Sequence, residues 1–255
     1  MEEAVIVEKI LKQIAATDFT VTVVPNQPIS LFETTIRYLG GLLSAYDLLS
    51  GSHKHLIKDT RLRNNLLKAA ITLADRLSIA FDTPSGIPDD EVIFNPTPRR
   101  YGNIDNSITC FGTLVLEWTR LSDLTGNKTY AALAQRAQDH LIHPKTNQEF
   151  TLPGLIGTYV RLDNGYFGDY QAGWGGGSDS YYEYLIKMYA YDPIQFAEYG
   201  ESWIQAAESS MKYLASSPST RPDLTFLGEM RGNTMIPISS HCKSPLIHDH
   251  LLVIS

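Results

Sequence analysis

A chain of 255 residues with 43% hydrophobic content is long enough to bury one or two cores and has the composition of an ordinary globular protein. Its formal net charge of −7 and the lack of a long Lys/Arg cluster argue against nucleic acid and anionic membrane surfaces as partners. Charged residues, Gly or Ser interrupt its longest apolar runs, so no membrane span is predicted in this chain.

The first part of the chain is predicted to contain three helices. It opens with an acidic stretch that has no signal-peptide pattern, and residues 2–16 show the apolar stripe of an amphipathic helix. A short extended piece is predicted at residues 20–24. Residues 30–47 form a helix that is apolar over most of its circumference, which is typical of a buried inner helix. Residues 59–81 predict a long one-sided outer helix, and a connection rich in Pro and Asp follows to residue 106.

The second part repeats this alternation. Its predicted helices alternate between apolar and one-sided patterns, and they cover residues 107–124, 129–141, 179–191 and 193–215. A long loop precedes the third of them and ends in a glycine run at residues 173–177, and the segment 224–230 is weakly strand-like. Inner and outer helices in alternation predict repeated αα-hairpins, which build a solenoid or a closed barrel. No strict sequence period is visible, so the barrel is favoured.

The apolar helix at residues 30–47 carries two charged residues one turn apart, Glu33 and Arg37. Their spacing permits an ion pair between positions i and i+4, and this plain structural explanation is favoured on spacing alone. Alternatively, the two side chains face a cavity inside a helical barrel. Gly40 and Gly41 are costly in a helix interior, so we expect another group to approach the backbone closely there.

Three further acids interrupt apolar helices, namely Glu117, Asp179 and Glu183. Glycoside hydrolysis requires two carboxyl groups across the scissile bond, so such acids are candidates for that chemistry. Each has a structural alternative. Asp179 could be an N-cap, Ser180 and Glu183 could form a capping box, and Glu117 could be a buried acid paired with Arg120.

Other polar motifs are less informative. Cys110 and Cys242 have no metal-ligand spacing and are expected to be free thiols, although a disulfide remains open. His248-Asp249-His250 lies in a tail with no further ligand nearby, which disfavours a metal site. The glycine run is not followed by Gly-Lys-Ser/Thr, so a phosphate-binding loop is set aside. Asn127-Lys128-Thr129 is a glycosylation acceptor pattern, which matters only if the protein enters the secretory pathway.

Three blocks of the sequence resemble glycoside hydrolase family 47, the class I α-1,2-mannosidases. The longest is Leu31-Phe32-Glu33-Thr34-Thr35-Ile36-Arg37-Tyr38-Leu39-Gly40-Gly41-Leu42-Leu43-Ser44-Ala45-Tyr46, and residues 112–122 and 179–187 form the other two. The resemblance covers residues 1–241, which are expected to form part of a catalytic domain, whereas residues 242–255 are expected to form a divergent tail.

The resemblance implies an all-α fold that is part of an (α/α)₇ barrel. It implies an inverting, Ca²⁺-dependent hydrolase that trims mannose from high-mannose N-glycans in the secretory pathway or outside the cell. Glu33 would be the general acid, with Asp179 as the proposed alternative. Arg37, Glu117 and Glu183 would line the mannose pocket or the water shell of the calcium ion.

The sequence also departs from the family. Family catalytic domains extend further at both ends, and the absent parts should hold the general base, the threonine that binds Ca²⁺ and one of the paired cysteines. Gly177 stands where some members carry an arginine in the pocket. The chain is therefore expected to be inactive as a fragment. A mannose-binding pseudoenzyme and a helical scaffold without a sugar site remain the alternative hypotheses.

Overall fold

The computed structural model describes residues 2–145, 152–231 and 234–236. The α-helices in this part of the chain are α1 (Glu2–Ala16), α2 (Leu31–Thr34), α3 (Gly40–Ser50), α4 (Thr60–Leu77), α5 (Ile108–Gly112), α6 (Val115–Thr125), α7 (Thr129–Ile142), α8 (Asp179–Tyr191) and α9 (Ala197–Ser209). Two π-helical turns, Thr35–Leu39 and Ser210–Leu214, and two 3₁₀ turns, Lys54–Leu56 and Ser78–Phe81, adjoin them.

The strands are short and lie in the connections. They are β1 (Pro28–Ser30), β2 (Glu91–Ile93), β3 (Arg99–Arg100), β4 (Asp105–Ser107), β5 (Tyr159–Arg161), β6 (Gln171–Ala172), β7 (Ala215–Ser216), β8 (Phe226–Leu227), β9 (Glu229–Arg231) and β10 (Thr234–Ile236). β1, β2 and β3 form one antiparallel sheet, β10, β9 and β6 form another, and β7 pairs with β8.

The chain divides into two compact units. The first comprises residues 1–106, 110–141 and 161–165, and the second comprises residues 107–109, 142–160 and 166–255. In the first unit α1 packs against α4, α4 against α3, and α3 against α6. In the second unit α8 packs against α9.

The core of the first unit is centred on Trp118 of α6, which is fully buried. Phe81 contacts the Trp118 ring edge to face with ring centroids 4.9 Å apart, and the indole N–H of Trp118 donates to the hydroxyl of Thr35 at 3.4 Å. A large aromatic side chain gains most of its stabilisation by burying apolar area, while its N–H still requires a partner. Trp118 therefore ties α6 to the π turn of the inner helix.

The core of the second unit contains a cluster of aromatic rings on and beside α8. Tyr181 and Tyr182 are buried, with ring centroids 4.8 Å apart, and the Trp174 ring lies 4.3 Å from that of Tyr182. Trp174 donates its indole N–H to the hydroxyl of Ser210. Burial raises the pKa of both tyrosine hydroxyls above the ordinary value, so they remain neutral. The cluster fixes the buried side of α8 in its unit.

The predicted helices are present, but two of the predicted connections differ. Residues 20–24 are not a strand, because Val23 is fully exposed and the chain turns at Asn26, whose φ is 61°. The strand lies four residues further on, at β1, where it pairs with β2. The connection after α4 is not structureless, since it contains β2 and β3.

The inner helix is a helix as predicted, although it is not buried on all sides. Tyr38 is 59% exposed and Leu48 is 49% exposed, whereas Leu31, Leu39 and Leu43 are buried. The described residues leave one side of this helix open to solvent. The apolar composition correctly predicted a buried stripe along this helix. The prediction that the helix is buried around most of its circumference was wrong.

None of the helices described is long and apolar enough to cross a membrane. The histidines His53 and His55 are exposed. The divergent tail and Cys242 lie outside the described residues, as does His248-Asp249-His250. Cys110 forms no disulfide within the part of the chain that the structure describes.

Candidate active site

Glu33 and Arg37 lie at the start of the inner helix of the first unit. Ser30 caps this helix, since its hydroxyl accepts from the Glu33 backbone N–H at 3.2 Å. Arg37 lies on the π turn, and its Nε donates to Glu33 Oε2. The predicted i to i+4 ion pair is therefore confirmed. The two side chains are 48% and 67% exposed, so solvent reaches both of them in this structure.

Glu117 lies in the first turn of α6, against the inner helix. A Cβ built on Gly40 would lie 3.4 Å from Glu117 Oε1 and 3.5 Å from its Cγ, at ordinary van der Waals contact. The sequence analysis expected another group close to the backbone at Gly40 and Gly41. At Gly40 this group is the side chain of Glu117. Gly41 faces open space within 4 Å. Glu117 Oε2 is buried.

Arg120, the suggested partner of Glu117, forms a forked ion pair with Asp47 of α3. Its Nε donates to Asp47 Oδ2 at 2.9 Å and its Nη2 donates to Asp47 Oδ1 at 2.7 Å. Both side chains are about one-third exposed, at 35% and 37%. Two parallel bonds to a planar guanidinium constrain orientation as well as distance. This pair holds α6 on α3 and thereby positions Glu117.

Asp90 adds an acid that the sequence did not single out. The Asp90 carbonyl accepts from the Leu31 backbone N–H at 2.7 Å, so Asp90 lies beside the start of the inner helix. The pKa of its carboxyl is raised, chiefly by burial. The hydrogen bond from Cys110 lowers this pKa, whereas the negative charges of Glu91, Asp89 and Glu33 raise it further. Asp90 Oδ1 is buried and has no hydrogen-bond partner among the described residues. The sequence signal that could have pointed to Asp90 is the pair of consecutive acids, Asp89 and Asp90, in a connection rich in proline.

The neighbouring Asp89 is fully buried and organises the connection after α4. Its carboxylate accepts from the backbone N–H groups of Glu91, Gly102 and Asn103, at 3.2, 2.7 and 3.1 Å. The Asn103 side chain donates to it at 2.9 Å, and Arg100 Nη1 is 3.8 Å away. A buried charge needs such partners, so Asp89 has a structural role.

Asp179 and Glu183 lie on α8 in the second unit. Asp179 Oδ1 accepts from the hydroxyl of Thr109 at 3.0 Å and from the Ser180 backbone N–H at 2.9 Å. Asp179 is the first residue of the helix, and the N-cap is Ser178, so the predicted N-cap role of Asp179 is wrong. The predicted bounds of the helix, residues 179–191, are nevertheless those of α8.

Glu183 forms an ion pair in place of the capping box suggested by the sequence. Glu183 Oε1 pairs with Lys187 Nζ at 2.6 Å, one turn further along α8. Both side chains are nearly half exposed. An exposed pair of this kind contributes a few tenths of a kcal/mol at most, ~0.3–0.5, so it leaves Glu183 available for other partners.

The glycine run forms the tight turn that begins α8. Gly175 O accepts from the backbone N–H groups of Ser178 and Asp179, both at 3.1 Å. Gly177 has a φ of +99°, and a Cβ there would lie 2.8 Å from Thr158 Cγ2. The Gly177 carbonyl accepts from the Thr109 N–H at 3.1 Å. The same residue, Thr109, thus contacts both the turn and the Asp179 carboxylate.

The five predicted site residues therefore fall into two sets. Glu33, Arg37 and Glu117 belong to the first unit, while Asp179 and Glu183 belong to the second. Their convergence on one cavity remains a prediction. Thr109 was missed, since no local pattern links it to an acid 70 positions later in the chain.

Comparison with known proteins identifies the family of enzymes to which this chain belongs. The model of glycosyl hydrolase family 47 matches residues 1–246, and the chain belongs to this family. It is 50% identical over 242 residues to a probable mannosyl-oligosaccharide alpha-1,2-mannosidase 1B of Aspergillus clavatus, covering 94% of this chain and 46% of the relative. A mannosyl-oligosaccharide alpha-1,2-mannosidase 1B of Aspergillus oryzae is 52% identical over 228 residues, covering 89% of this chain and 44% of the relative.

A solved structure gives the same result for the fold. The alpha-1,2-mannosidase from Trichoderma reesei superposes with a TM-score of 0.88 at 53% identity, covering 91% of this chain and 48% of that one. The predicted fold class, an all-α chain that forms part of an (α/α)₇ barrel, is thereby confirmed. The chain spans slightly less than half the length of these relatives.

Proposed function

We propose that this chain carries the acid side of an inverting α-1,2-mannosidase site that trims high-mannose N-glycans in the secretory pathway. The observation that supports this most directly is the family match across residues 1–246. The relatives named mannosyl-oligosaccharide alpha-1,2-mannosidase, at about half identity over most of this chain, indicate the same substrate class.

In this proposal Glu33 protonates the departing glycosidic oxygen, and Asp179 is the alternative acid. An inverting enzyme holds its acid and base roughly 6.5–9.5 Å apart, so that a water fits beneath the anomeric carbon. Arg37 pairs with Glu33 and would fix its orientation. Glu117 and Glu183 would accept hydrogen bonds from mannose hydroxyls.

Calcium is an expected feature of the family. Ca²⁺ takes six to eight oxygen ligands, commonly from several carboxylates and carbonyls. Among the side chains described, no group of three His, Cys, Asp or Glu could hold a metal ion. The acids that the structure describes therefore do not by themselves supply the carboxylate cluster of a calcium site.

We further propose that residues 1–255 by themselves release no mannose. Inversion requires a carboxyl group on each side of the sugar, and only the acid side is represented by the residues that match the family. The alternative is a pseudoenzyme that binds mannose without hydrolysing it.

A chimera would test the proposed roles. Residues 1–241 replace the matching part of the Aspergillus oryzae relative, and mannose release from an α-1,2-linked mannobiose is measured. The chimera should be active, and its E33Q variant should lose at least ~100-fold in kcat with an unchanged melting temperature, as expected for loss of a general acid. R37K serves as the matched control, because it keeps the charge and should lose less.

The isolated chain is assayed in parallel. No mannose release, with binding of the disaccharide, is the expected result. Mannose release above an E33Q control would refute the inactivity of the chain. A folded chimera in which both E33Q and D179N retain full activity would refute the proposed catalytic roles. If no form of the protein binds the glycan, the hypothesis of a helical scaffold without a sugar site is favoured.

A further inference from the structure

Asn127 lies on an exposed turn between α6 and α7. The sequence Asn127-Lys128-Thr129 is the only Asn-x-Ser/Thr triplet in the chain whose middle residue is not proline. All three residues are exposed. The turn begins at Gly126, which has a φ of +74°, and a Cβ placed on this glycine would meet no atom within 4 Å. The backbone of this turn therefore leaves open space beside Gly126, next to the exposed Asn127.

The side chain of Asn127 has the hydrogen bonds that a modified asparagine can keep. Its Oδ1 accepts from the Thr129 backbone N–H at 3.1 Å, at the first turn of α7. Its side chain also lies near the hydroxyl of Tyr130, which donates to Asp75 at 2.7 Å. A primary amide has two N–H bonds, so replacement of one of them leaves Oδ1 free to accept from Thr129.

We infer that Asn127 is an N-glycan attachment site. The donor is a polyprenyl diphosphate-linked oligosaccharide. The bond between its anomeric carbon and the phosphate oxygen breaks, a bond from that carbon to Asn127 Nδ2 forms, and the amide proton leaves with the released lipid diphosphate. The inference rests on the secretory route of the proposed function, because this transfer takes place in the lumen of that pathway.

The position of Asn127 separates this modification from the candidate active site in the first unit. Glu117 lies in the first turn of α6, and Asn127 follows the last turn. Ten residues of helix correspond to about 15 Å along the axis. A glycan on Asn127 therefore extends from the opposite end of α6, and its loss should leave mannose binding unchanged.

The test uses translation of the full chain with microsomes, with a cleavable secretion signal added at the N-terminus. A C-terminal tag carries its own Asn-Gly-Thr acceptor, and only chains glycosylated on the tag are scored, so that every scored chain has entered the lumen. Gel mobility is measured before and after treatment with an endoglycosidase. Two glycans are expected on the wild-type chain.

Four variants define the site. N127D keeps an oxygen that can cap α7 but lacks the acceptor amide, and T129A lacks the hydroxyl, so both should carry the tag glycan alone. T129S should keep two glycans, and N95Q should also keep two, since Pro96 blocks the triplet at Asn95. A wild-type chain with the tag glycan alone, or an N127D chain with two glycans, would overturn the inference. Neither readout depends on mannosidase activity, so the outcome is independent of the catalytic proposal.

Discussion

At the scale of single residues, Asp90 is the clearest case of a group whose environment opposes its charge. Its folded-state pKa is raised above the ordinary value of 3.8, chiefly by burial. Between these two pKa values the folded protein binds more protons than the unfolded chain. The stabilising contribution of Asp90 is therefore fully present below the unfolded pKa and declines as the pH rises through the folded pKa.

We predict that D90N removes this pH dependence. Near pH 7 the free energy of unfolding should be equal to or greater than that of the wild type, by up to about 1 kcal/mol, because a buried unpartnered carboxylate oxygen is replaced by a neutral amide. Urea unfolding at pH 4 and pH 7 measures the difference. A D90N chain that loses the same stability at both pH values would contradict the assignment.

Thr109 and Asp179 provide a second residue-scale prediction. The hydroxyl of Thr109 donates to a carboxylate, and hydrogen bonds to charged groups contribute about 1.5–3 kcal/mol. T109V keeps the side-chain shape and should lower the free energy of unfolding by about 1.5 kcal/mol. T109S keeps the hydroxyl and should lose less than half of that. Equal losses for the two variants in urea unfolding would show that the bond contributes little.

At the scale of elements, the helices were predictable wherever one apolar stripe dominates. The predicted limits of α1 and α8 agree with the structure, because both are bounded by clear polar or glycine signals. The π turn at Thr35–Leu39 was not predicted. Its buried residues are Thr35 and Leu39, and residues four positions apart also share one face of an ordinary α-helix, so the pattern does not distinguish a π turn.

α1 allows a matched test of burial. Leu11 is 3% exposed, whereas the adjacent Ile10 is 53% exposed. L11A should destabilise the chain by about 2–3 kcal/mol, because it removes a buried side chain between α1 and α4. I10A should change the free energy of unfolding by less than about 0.5 kcal/mol. Thermal unfolding of both variants checks the packing of α1, and similar effects would contradict it.

At the scale of the whole molecule, sequence resemblance supplied what local patterns could not. Periodicity indicated helix pairs, and the lack of a strict sequence period favoured a barrel over a solenoid. The family blocks added that the barrel is of the (α/α)₇ type. The contacts of Asp90, Thr109 and Arg120 join positions far apart in the chain, at 70 or more residues for Thr109–Asp179 and Arg120–Asp47. Tertiary folding creates such contacts, so no local window contains a signal for them.

Net charge and exposed apolar side chains together predict how the chain behaves in solution. The sequence pI is about 5.5, and Val5, Val23 and Ile194 are 68%, 101% and 91% exposed. Charge repulsion disappears near the pI, so association should be greatest there. Light scattering at low salt should be higher at pH 5.5 than at pH 7.5. Equal scattering at both values would show that charge does not control association.

The contacts between α3 and α6 have a mechanical consequence. Two rods that touch at one point can pivot about it, whereas two separated points of attachment remove that freedom. Gly40 meets Glu117, and Asp47, about two turns further along α3, is joined to Arg120. The two contacts with the inner helix thus fix the position and the direction of α6. A substitution at Asp47 would leave α6 attached only near Gly40 and Thr35, so the orientation of Glu117 would be less constrained although its own neighbours were unchanged.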